Sequence, residues 1–162
     1  ELDTRVELDG DAAFIGWDVV CLGRSAAGER FSQGHLRQRI ALTRDGNALF
    51  IERASLEGGD PLLASPVGLN GAVVFGTFIA ALSAVPDAML AACRDVATSE
   101  NADDTAGETE GEAGLTRMRG CLVGRYRGAS AQGARAYFAR LWCAVRPLAF
   151  GLAAVAPRIW NT

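Results

Sequence analysis

Leu36-Arg-Gln-Arg-Ile-Ala-Leu42, then Asp45-Gly46, then Ala48-Leu-Phe-Ile-Glu-Arg53: in this stretch Leu36, Ile40 and Leu42 fall on one face of an extended chain, and Arg37 and Arg39 on the other. Alternation with period two marks a half-buried strand. Asp-Gly between two such runs marks a hairpin turn, because its central residues need positive φ. Upstream, Thr4-Arg-Val-Glu-Leu-Asp9 alternates in the same way, Asp9-Gly10-Asp11 supplies a turn, and Ala12 to Leu22 runs apolar, which predicts a second hairpin. Downstream, Gly58-Gly-Asp-Pro61 and Ser65-Pro66 mark a loop, Ala72 to Leu82 reads as a buried strand, and Leu115 to Arg127 as a strand pair or one long strand.

Helices are fewer. Pro86 opens a short one from Asp87 to about Asp95, with the Asp87 carboxylate at its electropositive end. In the tail, Ala134, Tyr137, Phe138, Leu141, Trp142 and Val145 recur on one helical face while Arg135, Arg140 and Arg146 fall off it. Ser130 is placed to cap that helix and Pro147 to stop it. The expectation is mostly β, layered antiparallel strands of the β-sandwich or β-helix kind, with about two short α-helices. At 162 residues, 49% hydrophobic and 22% charged, with a mean hydropathy of +0.13, residues 1–162 suffice for one folded domain.

All 16 cationic side chains are arginine and no lysine occurs, so a phosphate loop ending in Gly-Lys-Ser/Thr, a Schiff base and a Ser-Lys dyad are excluded. Charge is unevenly spread: residues 1–94 carry −4, residues 95–116 carry −7 without a cation, and residues 117–162 carry +8 without a carboxylate. Self-repulsion and scarce apolar residues predict a flexible acidic loop over residues 96–114. The cationic tail suits either nucleic acid or an acidic partner protein. Its arginines are interleaved with apolar residues and the sequence pI is about 5.2, which favours the protein partner.

Four cysteines, Cys21, Cys93, Cys121 and Cys143, are scattered without a Cys-x-x-Cys, and His35 is the sole histidine. Reduced cysteines, mostly buried, are the expectation, rather than a zinc site. No basic-then-apolar leader is visible, and the longest uncharged run, Val67 to Val85, is broken by Asn70, Gly71, Gly76, Thr77 and Ser83. A cytoplasmic protein without a membrane segment is expected.

Gly23-Arg-Ser-Ala-Ala-Gly28 approaches a nucleophile elbow but has one residue too many before its second glycine, and His35 is the one available imidazole base. Asp18, Glu29 and Glu52 lie beside apolar residues, where burial can raise a carboxyl pKa for acid–base work. Salt bridges to Arg24, Arg30 or Arg53 are the plainer use of them. Two function classes stay open from the residues: a small carboxylate-dependent hydrolase, which would turn over a substrate, and an arginine-rich nucleic-acid-binding module, with steeply salt-dependent binding.

Several strings taken together carry a resemblance: Trp17-Asp-Val-Val-Cys-Leu-Gly-Arg24, Gly28-Glu-Arg-Phe31, Arg44-Asp-Gly46, Glu52-Arg53, Leu141-Trp142, Arg146-Pro147 and Pro157-Arg-Ile-Trp-Asn-Thr162. The sequence resembles the urease accessory proteins of the UreD family, also called UreH, over nearly its whole length. Members of that family are longer and match in their later part, Asp18 stands where a glutamate is common, and the acidic stretch is longer than usual. The resemblance implies a non-catalytic scaffold. It would join a helical accessory partner and a nickel-handling GTPase, dock on apo-urease and assist nickel insertion, binding no cofactor tightly. Under it, Asp18, Glu29, Glu52 and His35 are candidate weak ligands on a nickel route, and Arg24, Arg146, Arg158 and Trp160 are candidate docking residues.

Overall fold

The structure, a computed structural model, describes residues 1–24, 27–102 and 111–161. The strands are β1 (Leu2–Leu8), β2 (Phe14–Cys21), β3 (His35–Arg44), β4 (Asn47–Glu57), β5 (Val74–Ala81), β6 (Gly111–Met118) and β7 (Cys121–Gly128). The helices are α1 (Asp87–Ala102) and α2 (Ala131–Phe150). An outer sheet has the order β1-β3-β4 and a middle sheet the order β2-β5-β7-β6. The helices cover the far face of the middle sheet, so the fold has three layers and is mostly β, as the sequence predicts.

The β3–β4 hairpin forms with Asp45 at φ 49° and Gly46 at φ 75°, the paired left-handed residues that an Asp-Gly turn supplies. The other expected hairpin does not form. β1 pairs in parallel with β3, and the Asp9-Gly10-Asp11 turn carries the chain across to the middle sheet, where β2 pairs with β5. The side chains explain this. β1 turns Asp3, Arg5 and Glu7 outward and can serve in an outer layer, whereas β2 has Ile15, Trp17 and Val19 packed towards the helices and Val20 towards the other sheet. A strand apolar on both faces needs cover on both. The turn is fixed in place by the Gly10 amide donating to Asp45 Oδ1 at 2.8 Å.

β5 is buried on both faces, Phe78 and Ala80 under the helices, Ile79 and Ala81 against the outer sheet. Residues 115–127 form a strand pair, β6 and β7, turned at Gly120 with φ 78°. Gly76 and Gly124 let α2 approach the middle sheet. A Cβ on Gly76 would stand 2.5 Å from the Asp18 carbonyl oxygen and 2.8 Å from the Phe138 ring, and one on Gly124 2.5 Å from Leu141.

Both helices outrun their expected ends. α1 continues through the first acidic residues because Val96 and Ala97 extend the apolar stripe of Met89, Leu90 and Cys93. β6 begins at Gly111, so the expected loop over 96–114 is helix at its start and strand at its end, and residues 103–110 lie outside the described residues. α2 buries the predicted face, and Ser130 Oγ accepts from the Gln132 and Gly133 amides at 3.2 and 3.3 Å. Pro147 does not stop it. A proline removes one helical hydrogen bond and the helix goes on to a left-handed cap at Gly151, whose N–H donates to the Pro147 carbonyl at 2.9 Å.

Beyond α2 the chain folds back. Trp160 sits edge-on between Trp17 and Trp142, at 4.9 and 5.0 Å between ring centroids, and its carbonyl accepts from Arg135 Nη2. Edge-to-face pairs of this kind contribute roughly 0.5–1.5 kcal/mol each beyond area burial. Trp160→Ala is therefore expected to lower unfolding stability by about 2 kcal/mol in denaturant titration, while Arg158→Ala, at an exposed position two residues away, changes it by less than about 0.5 kcal/mol.

Candidate functional site

Between the two sheets the apolar packing is interrupted. One apolar cluster centres on Ile40, Leu42, Phe50 and Ile79, another on Val20, Leu22 and Leu56, and a polar row separates them. In the middle sheet Asp18 of β2 lies opposite Thr77 of β5, which lies opposite Arg125 of β7. The outer sheet contributes Gln38 of β3 and Glu52 of β4 to the same layer. Gln38 Nε2 donates to Asp18 Oδ2 at 2.5 Å, Thr77 Oγ1 donates to Glu52 Oε1 at 3.0 Å, and Arg125 Nη2 forms an ion pair with Glu52 Oε2 at 2.5 Å.

The row has more acceptors than donors. Gln38 and Thr77 are 4% and 3% exposed, and Asp18 Oδ1 and Gln38 Oε1 are buried without a hydrogen-bond partner. Buried acceptors without donors attract a cation or an ordered water. Burial raises the Asp18 pKa above its ordinary value of 3.8. The Gln38 hydrogen bond and the Thr77 backbone pull the other way, and the nearby Glu52 charge adds to the rise. Asp18 and Thr77 line a cavity of about 130 Å³ between the sheets, with Thr4, Phe14, Ile40 and Ile79 among its other walls. That volume admits several waters, hence a partly hydrated ion.

Of the four candidate metal-route residues, the fold brings Asp18 and Glu52 together and leaves the other two elsewhere. Glu29 is in an exposed loop with Arg24, at 2.5 Å. His35 begins β3 five residues from Ile40, the residue opposite Glu52, a separation of roughly 17 Å along a strand. There its Nε2 accepts from Arg37 Nε at 3.0 Å and its Nδ1 lies 3.7 Å from Glu57. Of the arginines offered as salt-bridge partners, Arg24 pairs with Glu29, whereas Glu52 pairs with Arg125 and not with adjacent Arg53, since neighbours on a strand point to opposite faces. No group of three or more His, Cys, Asp or Glu that could hold a metal occurs among the described residues.

Gln38, Thr77 and Arg125 were not anticipated. The signal for Gln38 is legible in the alternation itself, because it occupies the inward position between Leu36 and Ile40. Thr77 and Arg125 become site residues only through strand pairing.

Arg24 is committed to Glu29, and Trp160 is half-buried in the aromatic cluster. Arg146 lies over the Trp142 ring at 5.2 Å and donates to the Ala153 carbonyl at 3.2 Å, and Arg158 is exposed. Ser25 of the elbow-like string lies outside the described residues. All four cysteines are free, Cys93 and Cys121 buried and Cys21 and Cys143 exposed; burial pushes the Cys93 thiol up to about 11. No helix among the described residues is long and apolar enough to cross a membrane.

Because the folded chain holds the Asp18 proton more tightly than the unfolded chain does, this group's contribution to stability is present at acidic pH and lost as pH rises through the shifted pKa. Asp18→Asn should therefore raise the melting temperature at pH 7, and the gain should shrink as pH is lowered towards 4. Thermal melts of both proteins across that range test it, and a variant that melts lower at pH 7 would contradict the sign.

Residues 1–161 match the family model for the UreD urease accessory protein. Urease accessory protein UreD of Dechloromonas aromatica (strain RCB) is 42% identical over 99% of this chain and 54% of its own length. Urease accessory protein UreD of Azoarcus sp. (strain BH72) is 43% identical over 100% of this chain and 53% of its own. Urease accessory protein UreD 2 of Pseudomonas syringae pv. syringae (strain B728a) is 43% identical over 100% and 54%. The chain thus spans about half the length of the curated relatives it matches. With a match that runs from the first residue to the penultimate one, the chain belongs to the UreD family of urease accessory proteins.

Proposed function

We propose that this chain is part of a non-catalytic scaffold in urease maturation, which with a helical accessory partner and a nickel-handling GTPase docks on apo-urease in the cytoplasm and assists nickel insertion. Family membership supports the setting, since the relatives are named accessory proteins. The observation that carries the mechanism is the polar row: two carboxylates, Asp18 and Glu52, and an acceptor-rich Gln38, in an otherwise apolar layer beside a cavity.

In this reading nickel is cargo. A transfer route needs oxygen ligands that bind weakly and exchange, because a set of thiolates and imidazoles would trap the ion. Asp18 Oδ1 and Gln38 Oε1 offer free lone pairs, while Glu52 is held by Arg125 and Thr77 and supplies negative charge. Glu29 and His35 lie apart from that pair, in exposed positions. For docking, the end of α2 and the segment after it expose Leu148, Leu152, Val155 and Ile159 beside Arg146 and Arg158, a surface suited to an apolar patch rimmed by acidic groups.

The test is urease activation in cells that co-express the full-length accessory protein, its partners and urease. Asp18→Ala and Glu52→Ala are expected to reduce urease activity and urease nickel content several-fold while the accessory complex still co-elutes in size-exclusion chromatography. Unchanged nickel content in both variants would overturn the route, and failure of the parent protein to join any accessory complex would overturn the scaffold reading itself.

A further inference from the structure

The face of the outer sheet turned away from the core carries an arginine group that the scaffold's interior does not use. Arg39 of β3 lies directly opposite Arg53 of β4, and Arg37 stands two residues along β3 on the same face. Like charges directly across an antiparallel ladder destabilise the pairing. On its other side Arg39 faces Asp3 of β1, whose carboxylate feels its charge but accepts its hydrogen bonds from Arg5, which donates from Nε and Nη2 at 3.2 and 2.9 Å. Arg39 Nε is buried without a hydrogen-bond partner, and Arg53 has no ion pair among the described residues. The three side chains border a surface pocket of about 280 Å³ in which Glu1 is the one carboxylate among the lining residues.

We propose that this pocket is an oxyanion site that takes the carboxylates of an acidic protein segment lying across the outer sheet. Guanidinium forks match carboxylates in geometry and charge, and a buried donor without an acceptor is satisfied when one arrives. The spacing along the strand suits an extended acidic segment. Arg39 and Arg53 lie across the ladder at about 4.5–5.5 Å between Cα atoms, while Arg37 and Arg39 are about 7 Å apart along the strand. An extended chain with acidic residues at alternate positions has the same two-residue repeat and meets all of them. Arg37 contributes its terminal amino groups, because its Nε is spent on His35.

The inference rests on the scaffold reading for the class of partner, but its test does not pass through urease. A hexaglutamate peptide and inorganic phosphate are titrated separately into the full-length protein at low ionic strength. The peptide should bind, weakening as salt is added. Arg39→Gln and Arg53→Gln should each reduce its affinity about threefold and the double variant about tenfold. Arg117→Gln, whose arginine pairs with Asp87 elsewhere, should leave it unchanged. Without peptide, Arg53→Gln should melt no lower than the parent, because it removes a like-charge pair. Absence of peptide binding, saturation by phosphate alone, equal binding by all variants or a lower melting temperature for Arg53→Gln would each overturn the proposal.

Discussion

A row of polar groups that two β-sheets must bury together is the constraint around which the rest of this structure is arranged. Asp18, Thr77 and Arg125 lie side by side on three neighbouring strands of the middle sheet and face Gln38 and Glu52 of the outer one. Register is thereby specified twice, by apolar alternation and by polar matching. A one-residue slip in β2 or β4 would turn Asp18 into the aromatic layer under the helices or Glu52 out to solvent, and would strand its partner. Polar groups half-satisfied inside a low-dielectric layer cost stability. Here two atoms, Asp18 Oδ1 and Gln38 Oε1, are left without a hydrogen-bond partner, and Asp18 lines the cavity between the sheets.

The middle sheet has no free face, and this dictates the three-layer arrangement. One side meets the outer sheet; the other meets α2 closely enough that Gly76 and Gly124 have no room for a Cβ. Aromatic contacts then run from Phe78 and Phe138 through Trp17 to Trp160 and Trp142. The last residues of the described chain are thus tied to the strand that carries Asp18, which gives the Pro-Arg-Ile-Trp string a structural reason to exist. Trp160 packs, and its neighbours Arg158 and Ile159 stay exposed.

With no lysine in the chain, every cationic task falls to arginine, whose planar fork suits several of them. Arg125 neutralises a buried carboxylate, Arg127 holds Glu112 and the carbonyls of Pro66 and Gly68 to anchor the long loop before β5, and Arg135 clasps the Trp160 carbonyl. On the outer sheet Arg37 donates to His35 and Arg39 lies beside Asp3, while Arg53 makes no ion pair among the described residues.

Periodicity within single elements determined much of this by itself: the β3–β4 hairpin, the apolar face of α2 from Ala134 to Val145, and the β-rich class, all of which depend on residues near one another in sequence. The same local logic marked Asp18 and Glu52 as carboxylates in apolar surroundings and held the clue to Gln38. Tertiary structure decided the rest. Whether β1 turns back on β2 or leaves for another sheet depends on which strand can be covered on both faces, and no local pattern contains that. Glu52 meets Arg125, 73 positions away, instead of adjacent Arg53, because pleating separates neighbours and sheet packing joins strangers. Carboxylates marked alike in the sequence end in different places, Asp18 and Glu52 in the buried row and Glu29 in an exposed ion pair, because burial is a property of layers and layers exist only once the chain has folded.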